Sequence, residues 1–399
     1  MRIRFIKTAA SFLLTLIILF AACPVLAEKT VTLTFTGDCT IGSTELTRTA
    51  IDSFDTVATA KGYSYFFANF RELFEQDDQT IVNLEGVLSD SRNQENKTKT
   101  YRFRGPTDYV RILTGGSIEA CSLANNHTSD FGKQGEETTK KTLESNGIHW
   151  FQQYTPYIYE KDGIRIAFVS FHNVWLEFDK ARALISSLKK ENKADAVIVF
   201  WHAGREYRGA HEPNEETATQ NMINSGADLV ITNHPHVIQG VTVYKDRCIF
   251  YSLGNFVFGG NNRIETKKFK LDKTVSSLYS IVVRARLTFS DDGKYLGQQI
   301  TIFPTINSSG EPDKNNKQIN NYQPYRANAE EAILIRDALQ EDSSFRIPDI
   351  TVGPDGMSVI DLGYIAAFDD VDFPDTSPNG PRGIPEAADQ EPTRETKSN

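Results

Sequence analysis

From residue 31 to residue 258 the chain keeps returning to one device: a short apolar, β-branched run that stops on a polar side chain able to bind metal. V-T-L-T-F-T (31–36) stops at Gly37-Asp38, and T-I-V-N-L-E-G (80–86) carries Asn83 and Glu85. S-I-E-A-C-S-L-A-N-N-H (117–127) ends in Asn125, Asn126 and His127, and A-V-I-V-F-W-H (196–202) in His202. D-L-V-I-T-N-H-P-H (228–236) ends in His234 and His236, and C-I-F-Y-S-L-G-N-F (248–256) in Gly254-Asn255. Runs of this length and composition predict buried strands. Between them lie helical spacings at 66–76, where Phe67, Phe70 and Phe74 share a face, and at 135–146, 181–193 and 214–225. Strand and helix in alternation predict an α/β sheet architecture, in which ligands gather at the carboxyl ends of strands.

A polar residue after any single strand is ordinary turn chemistry, and a lone histidine is more often packed or solvated than a ligand. The combination is what counts, because separate strand ends supply Asp, Glu, Asn and His together. Such oxygen and imidazole donors, without thiolates, suit Mn, Fe or Zn, so the pattern predicts a divalent transition-metal site. In H-P-H the proline stiffens the segment, and alternation in an extended chain would turn both rings to one side. Asn233 reads as a turn residue. His149 reads as packing beside Trp150 and Phe151, and His172, near Asn173 and Trp175, more as packing than as a site residue. His211 reads as a solvated loop residue, and the phenylalanine stripe as core.

The formal net charge of -9 repels nucleic acid, and an anionic substrate would need locally fixed cations. Arg2, Arg4 and Lys7 precede an apolar run and then C-P-V-L-A-E, the layout of a secretory signal over 1–27. Two other readings stay open: an uncleaved membrane anchor, or a degenerate lipobox at Cys23. All three put the rest of the chain outside the cytoplasm, anchored or secreted. Cys39, Cys121 and Cys248 are odd in number and widely spaced, so they read as buried thiols rather than a disulfide framework. The expected organisation is a main domain over 28–305, an extension over 306–368 packing onto it, and a disordered acidic, proline-rich tail over 369–399.

Taken in order, F-T-G-D (35–38), V-N-L-E-G (82–86), R-F-R-G-P (102–106), S-L-A-N-N-H-T-S-D-F-G-K-Q-G (122–135), H-A-G-R-E-Y (202–207), G-A-D-L-V-I-T-N-H-P-H-V-I-Q-G (226–240) and I-F-Y-S-L-G-N-F-V-F (249–258) resemble the CapA/PgsA family. These are proteins of capsule and poly-γ-glutamate biosynthesis, whose fold is similar to that of calcineurin-like metallophosphoesterases. The resemblance implies a four-layer α/β/β/α sandwich with its site at one edge of two sheets, holding one or two metal ions. It implies that Asp38 and His236 serve a first metal, that Glu85 bridges, and that Asn126, His202 and His234 complete a second. His127 would be the catalytic proton donor to a leaving oxygen. Arg104, Glu206 and Asn255, in the matching segments, would contact substrate. Membrane-bound polymer synthase components would be the partners. Two departures stand out: Thr40 where phosphoesterases have the histidine of Asp-x-His, leaving the first metal one imidazole fewer, and Ala203 where the family has Trp. Three functions follow: an extracytoplasmic capsule or poly-γ-glutamate assembly protein, a secreted metal-dependent phosphoesterase, or a non-catalytic scaffold that keeps the pocket.

Overall fold

The computed structural model describes residues 28–173, 177–261, 276–312 and 318–367. The expected signal or anchor over 1–27, the tail over 369–399 and Trp175 lie outside the described residues. Among the described residues, no helix is long and apolar enough to cross a membrane.

Along the chain the principal strands are β1 (Lys29–Thr40), β2 (Gln79–Leu84), β3 (Ala120–Ser122), β4 (His149–Phe151), β5 (Tyr157–Lys161), β6 (Ile164–His172) and β7 (Ala196–His202). They continue as β8 (Leu229–Asn233), β9 (Val241–Tyr244), β10 (Arg247–Phe250), β11 (Asn255–Phe258), β12 (Tyr279–Phe289), β13 (Tyr295–Ile306) and β14 (Ser358–Ala366). The longer helices are α1 (Phe54–Lys61), α2 (Gly132–Ser145), α3 (Phe178–Lys190), α4 (Pro213–Asn224) and α5 (Ala329–Gln340). One sheet runs β14-β13-β12-β1-β2-β3-β4, and the other runs β9-β10-β8-β7-β6-β5. The α/β architecture expected from the alternation is the one observed.

Period-two alternation distributes the apolar side chains over three clusters. Val31, Leu33 and Phe35 of β1 meet Ile166, Phe168, Ile198, Phe200, Leu229 and Ile231 of the other sheet in a central cluster. The intervening residues point the opposite way: Val82 and Leu84 of β2 pack with Phe54, Phe66, Phe67, Phe70 and Phe74. Val197, Val199 and Trp201 of β7 pack with Ala181 and Ile185 of α3 and Met222 of α4. Helix α5 gives Ala332, Ile335 and Leu339 to the central cluster, and β14 pairs along β13.

Two local expectations are corrected. The phenylalanine stripe is buried, but the helix expected over 66–76 is reduced to a single turn at Arg71–Phe74, because Phe70 has φ -122° and ψ -12° and breaks the ladder. The apolar run 248–256 is two strands in different sheets: Gly254, at φ 73°, turns the chain from β10 into β11. Asn255 therefore begins a strand and does not end one. Its neighbour Phe256 packs edge-on to Phe70 at 4.9 Å between ring centroids, which anchors the start of β11.

At the amino end of β2 and β3, burial is the leading cause that raises two carboxyl groups, Asp77 to about 6 and Glu119 to about 7. Asp77 accepts from Thr80 Oγ1 at 2.8 Å, and Glu119 from the Thr80 N–H at 2.7 Å, which offsets that burial in part. With ordinary values of 3.8 and 4.5, the folded state holds protons that the unfolded chain has released. Their contribution to stability is full below about pH 4 and is lost as the pH rises through 6–7, on the order of 1–2 kcal/mol each after solvent screening. Asp77→Asn and Glu119→Gln are expected to gain stability relative to wild type between pH 5 and 7.5 in urea unfolding. A difference independent of pH contradicts this reading.

Candidate metal centre

The carboxyl ends of the parallel strands converge at one edge of both sheets. Gly37 makes this possible: a Cβ there would lie 2.0 Å from the Gly254 carbonyl oxygen, so the chains carrying F-T-G-D and S-L-G-N-F approach only with glycine at that position. The Asp38 N–H donates to that oxygen at 2.9 Å, and Asp38 stands in register with Asn255. In the other sheet His202 is in register with His172 on one side and Asn233 on the other.

Asp38, Glu85, His202, His234 and His236 are buried together. Glu85 Oε1 lies 3.6 Å from His202 Nε2, 3.9 Å from His127 Nε2 and 4.0 Å from His236 Nε2. His236 Nδ1 is 3.4 Å from Asp38 Oδ2, and His234 Nδ1 is 3.1 Å from His202 Nε2. Asn126 Oδ1 lies 3.0 Å from His202 Nε2. Ligand atoms of Glu85, His234 and His236 all lie within 4.8 Å of one another.

Glu85 tests whether the set fits a cation. It has no exposed surface, and neither carboxylate oxygen has a hydrogen-bond partner. An unpaired buried carboxylate costs roughly several kcal/mol, so such a group persists where something cationic compensates it. Imidazole nitrogens surround it just beyond hydrogen-bond distance, at spacings that metal–ligand bonds of about 2.0–2.2 Å could bridge. The residues fit a divalent ion bound by oxygen and nitrogen donors. Cys39 is no candidate, because its side chain packs in the cluster of Val82 and Leu84, with Sγ 3.6 Å from the Gly37 carbonyl oxygen.

The protonation pattern agrees. Burial, then the neighbouring imidazoles, hold His202 and His234 well below the usual histidine range, so both keep the lone pairs a metal needs. Burial also opposes charge on His236, but Glu85 and Asp38 overcome it and raise that ring to about 10. Burial and the Asp38 charge push Glu85 well above the usual carboxylate range. Carboxyl groups thus crowd this edge and hold protons there, on Glu85 and on His236, in the place where a cation would compensate them.

His127 is held differently. Its Nδ1 lies 2.6 Å from Asp130 Oδ2, and its ring packs on Phe103 with centroids 4.2 Å apart. Asp130 also accepts from Lys99 Nζ at 3.0 Å and from the Phe103 N–H at 2.8 Å. Asn125 accepts from the His127 N–H at 3.0 Å and donates to the Leu84 carbonyl at 2.8 Å, which sets the loop so that Asn126 reaches His202 and His127 faces Glu85. Asn83 donates to Asp38 Oδ1 at 2.7 Å and lies 3.2 Å from His202 Nδ1. Sequence reasoning misses the roles of Asn83, Asp130 and Lys99, although the three-residue spacing of Asp130 after His127 is open to view.

The substrate candidates separate. Asn255 Oδ1 is 2.9 Å from His236 Nδ1 and so belongs to the cluster. Glu206 is exposed, yet its charge is felt at Glu85 and His236. Arg104 is taken up by Glu45 Oε1 at 2.9 Å and the Ser89 carbonyl at 2.7 Å. Thr40 is fully buried, with its hydroxyl unpartnered, and Ala203 sits in the cluster of α3 and α4.

Three expectations change. Alternation does not bring His234 and His236 together: β8 ends at Asn233, and the two histidines have φ 107° and 56°, a left-handed turn that leaves their rings 6.0 Å apart. Asn233 is no turn residue but the last residue of β8, buried, with both polar side-chain atoms unpartnered. His211 is not solvated: it stacks on Tyr251 at 3.6 Å and bonds Asp342.

The family model described as bacterial capsule synthesis protein PGA_cap matches residues 32–260, more than half of the 399. The chain is 29% identical over 223 residues to the capsule biosynthesis protein CapA of Bacillus anthracis, a match covering 49% of this chain and 54% of that protein. It is 28% identical over 225 residues to the PGA biosynthesis protein CapA of Bacillus subtilis (strain 168), covering 51% and 59%. The chain thus spans about half the length of the curated relatives it matches. A solved structure of a hypothetical protein from Thermus thermophilus is 16% identical, with a TM-score of 0.41, over 69% of this chain and 99% of that one. The chain belongs to the PGA_cap family of bacterial capsule synthesis proteins.

Proposed function

We propose that this protein is an extracytoplasmic component of capsule or poly-γ-glutamate assembly whose site holds a divalent transition metal and hydrolyses a phosphoester. The observation that carries the metal is the unpartnered, buried Glu85 ringed by imidazoles. Family membership supports the assembly role, and the basic-then-apolar segment ending V-L-A supports the location. Membrane-bound synthase components are the proposed partners.

A divalent cation in this set supplies Lewis-acid polarisation of the ester and neutralises charge on its oxygens. The chain's own residues do the rest. Asp38, Glu85, His202, His234 and His236 would hold the cation, with Asn126 beside His202. Asp130 fixes His127 through Nδ1, which leaves Nε2 turned toward Glu85 and able to give a proton to a leaving oxygen. That oriented imidazole, which pure scaffolding does not need, favours hydrolysis over a non-catalytic role.

Metal analysis after equilibration with Mn, Fe or Zn tests the reading. The purified protein is expected to retain at least one equivalent, with His202→Ala and His234→Ala each losing most of it. Wild-type protein that retains none of the three metals overturns the proposal.

A further inference from the structure

Strained backbone persists only where its surroundings hold it, and His234 and His236 at φ 107° and 56° carry such strain. Part of the support comes from within the site: Asp38 Oδ2 accepts from the His234 N–H at 3.1 Å, and Asn255 holds the His236 ring. The rest comes from far along the chain. Asp342, just beyond α5, accepts from the Gly240 N–H at 2.9 Å, four residues after His236. The same carboxylate accepts from the His211 N–H at 3.1 Å and lies 2.9 Å from His211 Nδ1.

His211 closes the loop 203–211, which carries Glu206 and Tyr207 past the site. The Tyr207 N–H donates to the Pro235 carbonyl at 2.8 Å, and Gln239 Nε2 donates to the Arg208 carbonyl at 2.9 Å. The two loops are therefore stitched to each other and, at one point, to Asp342. Backbone contact is equally close there, since a Cβ on Gly240 would lie 2.0 Å from the Asp342 carbonyl oxygen. Ser343 Oγ extends the seam by accepting from the Val241 N–H at 2.9 Å.

We propose that Asp342 is a positioning residue of the metal site: it fixes the His234–His236 turn and the 203–211 loop against each other. The inference rests on the metal reading above for its effect on affinity. It gives the segment after residue 260, which the family match leaves out, a part in building the site.

Cobalt(II) titration followed by visible absorption, and amide hydrogen exchange followed by mass spectrometry, test it on the full chain. Asp342→Ala is expected to lose about tenfold or more in cobalt affinity, as outer-shell changes do, with an altered spectrum. Its amides in 203–211 and 234–240 are expected to exchange faster. Asp342→Asn should recover most of the affinity, because its amide oxygen accepts the same backbone bonds. If Asp342→Ala does not fold, His211→Gln, with its backbone donor intact, is expected to release the 203–211 loop. Wild-type affinity and spectrum in the variants, with exchange altered only in 327–345, overturns the proposal. Wild-type protein that binds no cobalt defeats the metal reading instead, and exchange in the two loops still decides the role of Asp342.

Discussion

Glu85→Met is expected to raise the melting temperature of metal-free protein while abolishing any further rise on adding metal. The two effects have opposite signs because one group causes both. Without a cation, burial and Asp38 drive the wild-type carboxyl group toward its neutral form, and it still has no exposed surface and no bonded oxygen, a cost on the order of 1–3 kcal/mol. Methionine fills nearly the same volume without the two unbonded oxygens. His236 loses one of the two carboxyl groups that raise it, which offsets part of the gain, so a net rise of about 1–3 °C is expected for a chain of this length. With metal at a hundred times its dissociation constant, wild type gains about 2.7 kcal/mol and the variant gains nothing. Thermal unfolding with and without Mn or Zn measures both. A lower melting point in the metal-free variant, or a metal-induced rise that survives, defeats the assignment of Glu85.

What could be read from the sequence follows from where the controlling interactions lie. Asp38, Asn126, His202 and the H-P-H histidines each terminate a local apolar run or follow it closely, so their gathering at one edge follows once the strands are parallel. The shape of the His234–His236 turn was not legible, because nothing in the residue types His-Pro-His specifies positive φ. Contacts from Asp38 and Asp342, distant in sequence, are what hold it. The same distance hides the role of His211, which looks like a solvated loop residue until Asp342 and Tyr251 close on it. Asn255 reads as a strand end for a related reason. The apolar run through 248–256 continues unbroken, and only the turn at Gly254 shows that it serves two sheets.

His127→Asn is expected to lower kcat by about 10²–10⁴ on an alkyl phosphodiester while leaving metal content unchanged. The role claimed for this residue is specific, so the choice of leaving group discriminates. An alkoxide leaves poorly without a proton, whereas p-nitrophenolate leaves well unaided; the loss is therefore expected to shrink markedly with bis-p-nitrophenyl phosphate. Asp130→Asn should follow the same pattern more weakly. It keeps an oxygen near His127 Nδ1 but gives up the charge that Lys99 and the Phe103 N–H also engage. Equal losses with both leaving groups mean that His127 binds substrate or builds the pocket and does not donate a proton. Loss of metal in His127→Asn means instead that the neighbouring Asn126 loop has moved. Activity that survives in full with the alkyl ester removes His127 from the chemistry and, with it, the observation that favours hydrolysis over scaffolding at this site.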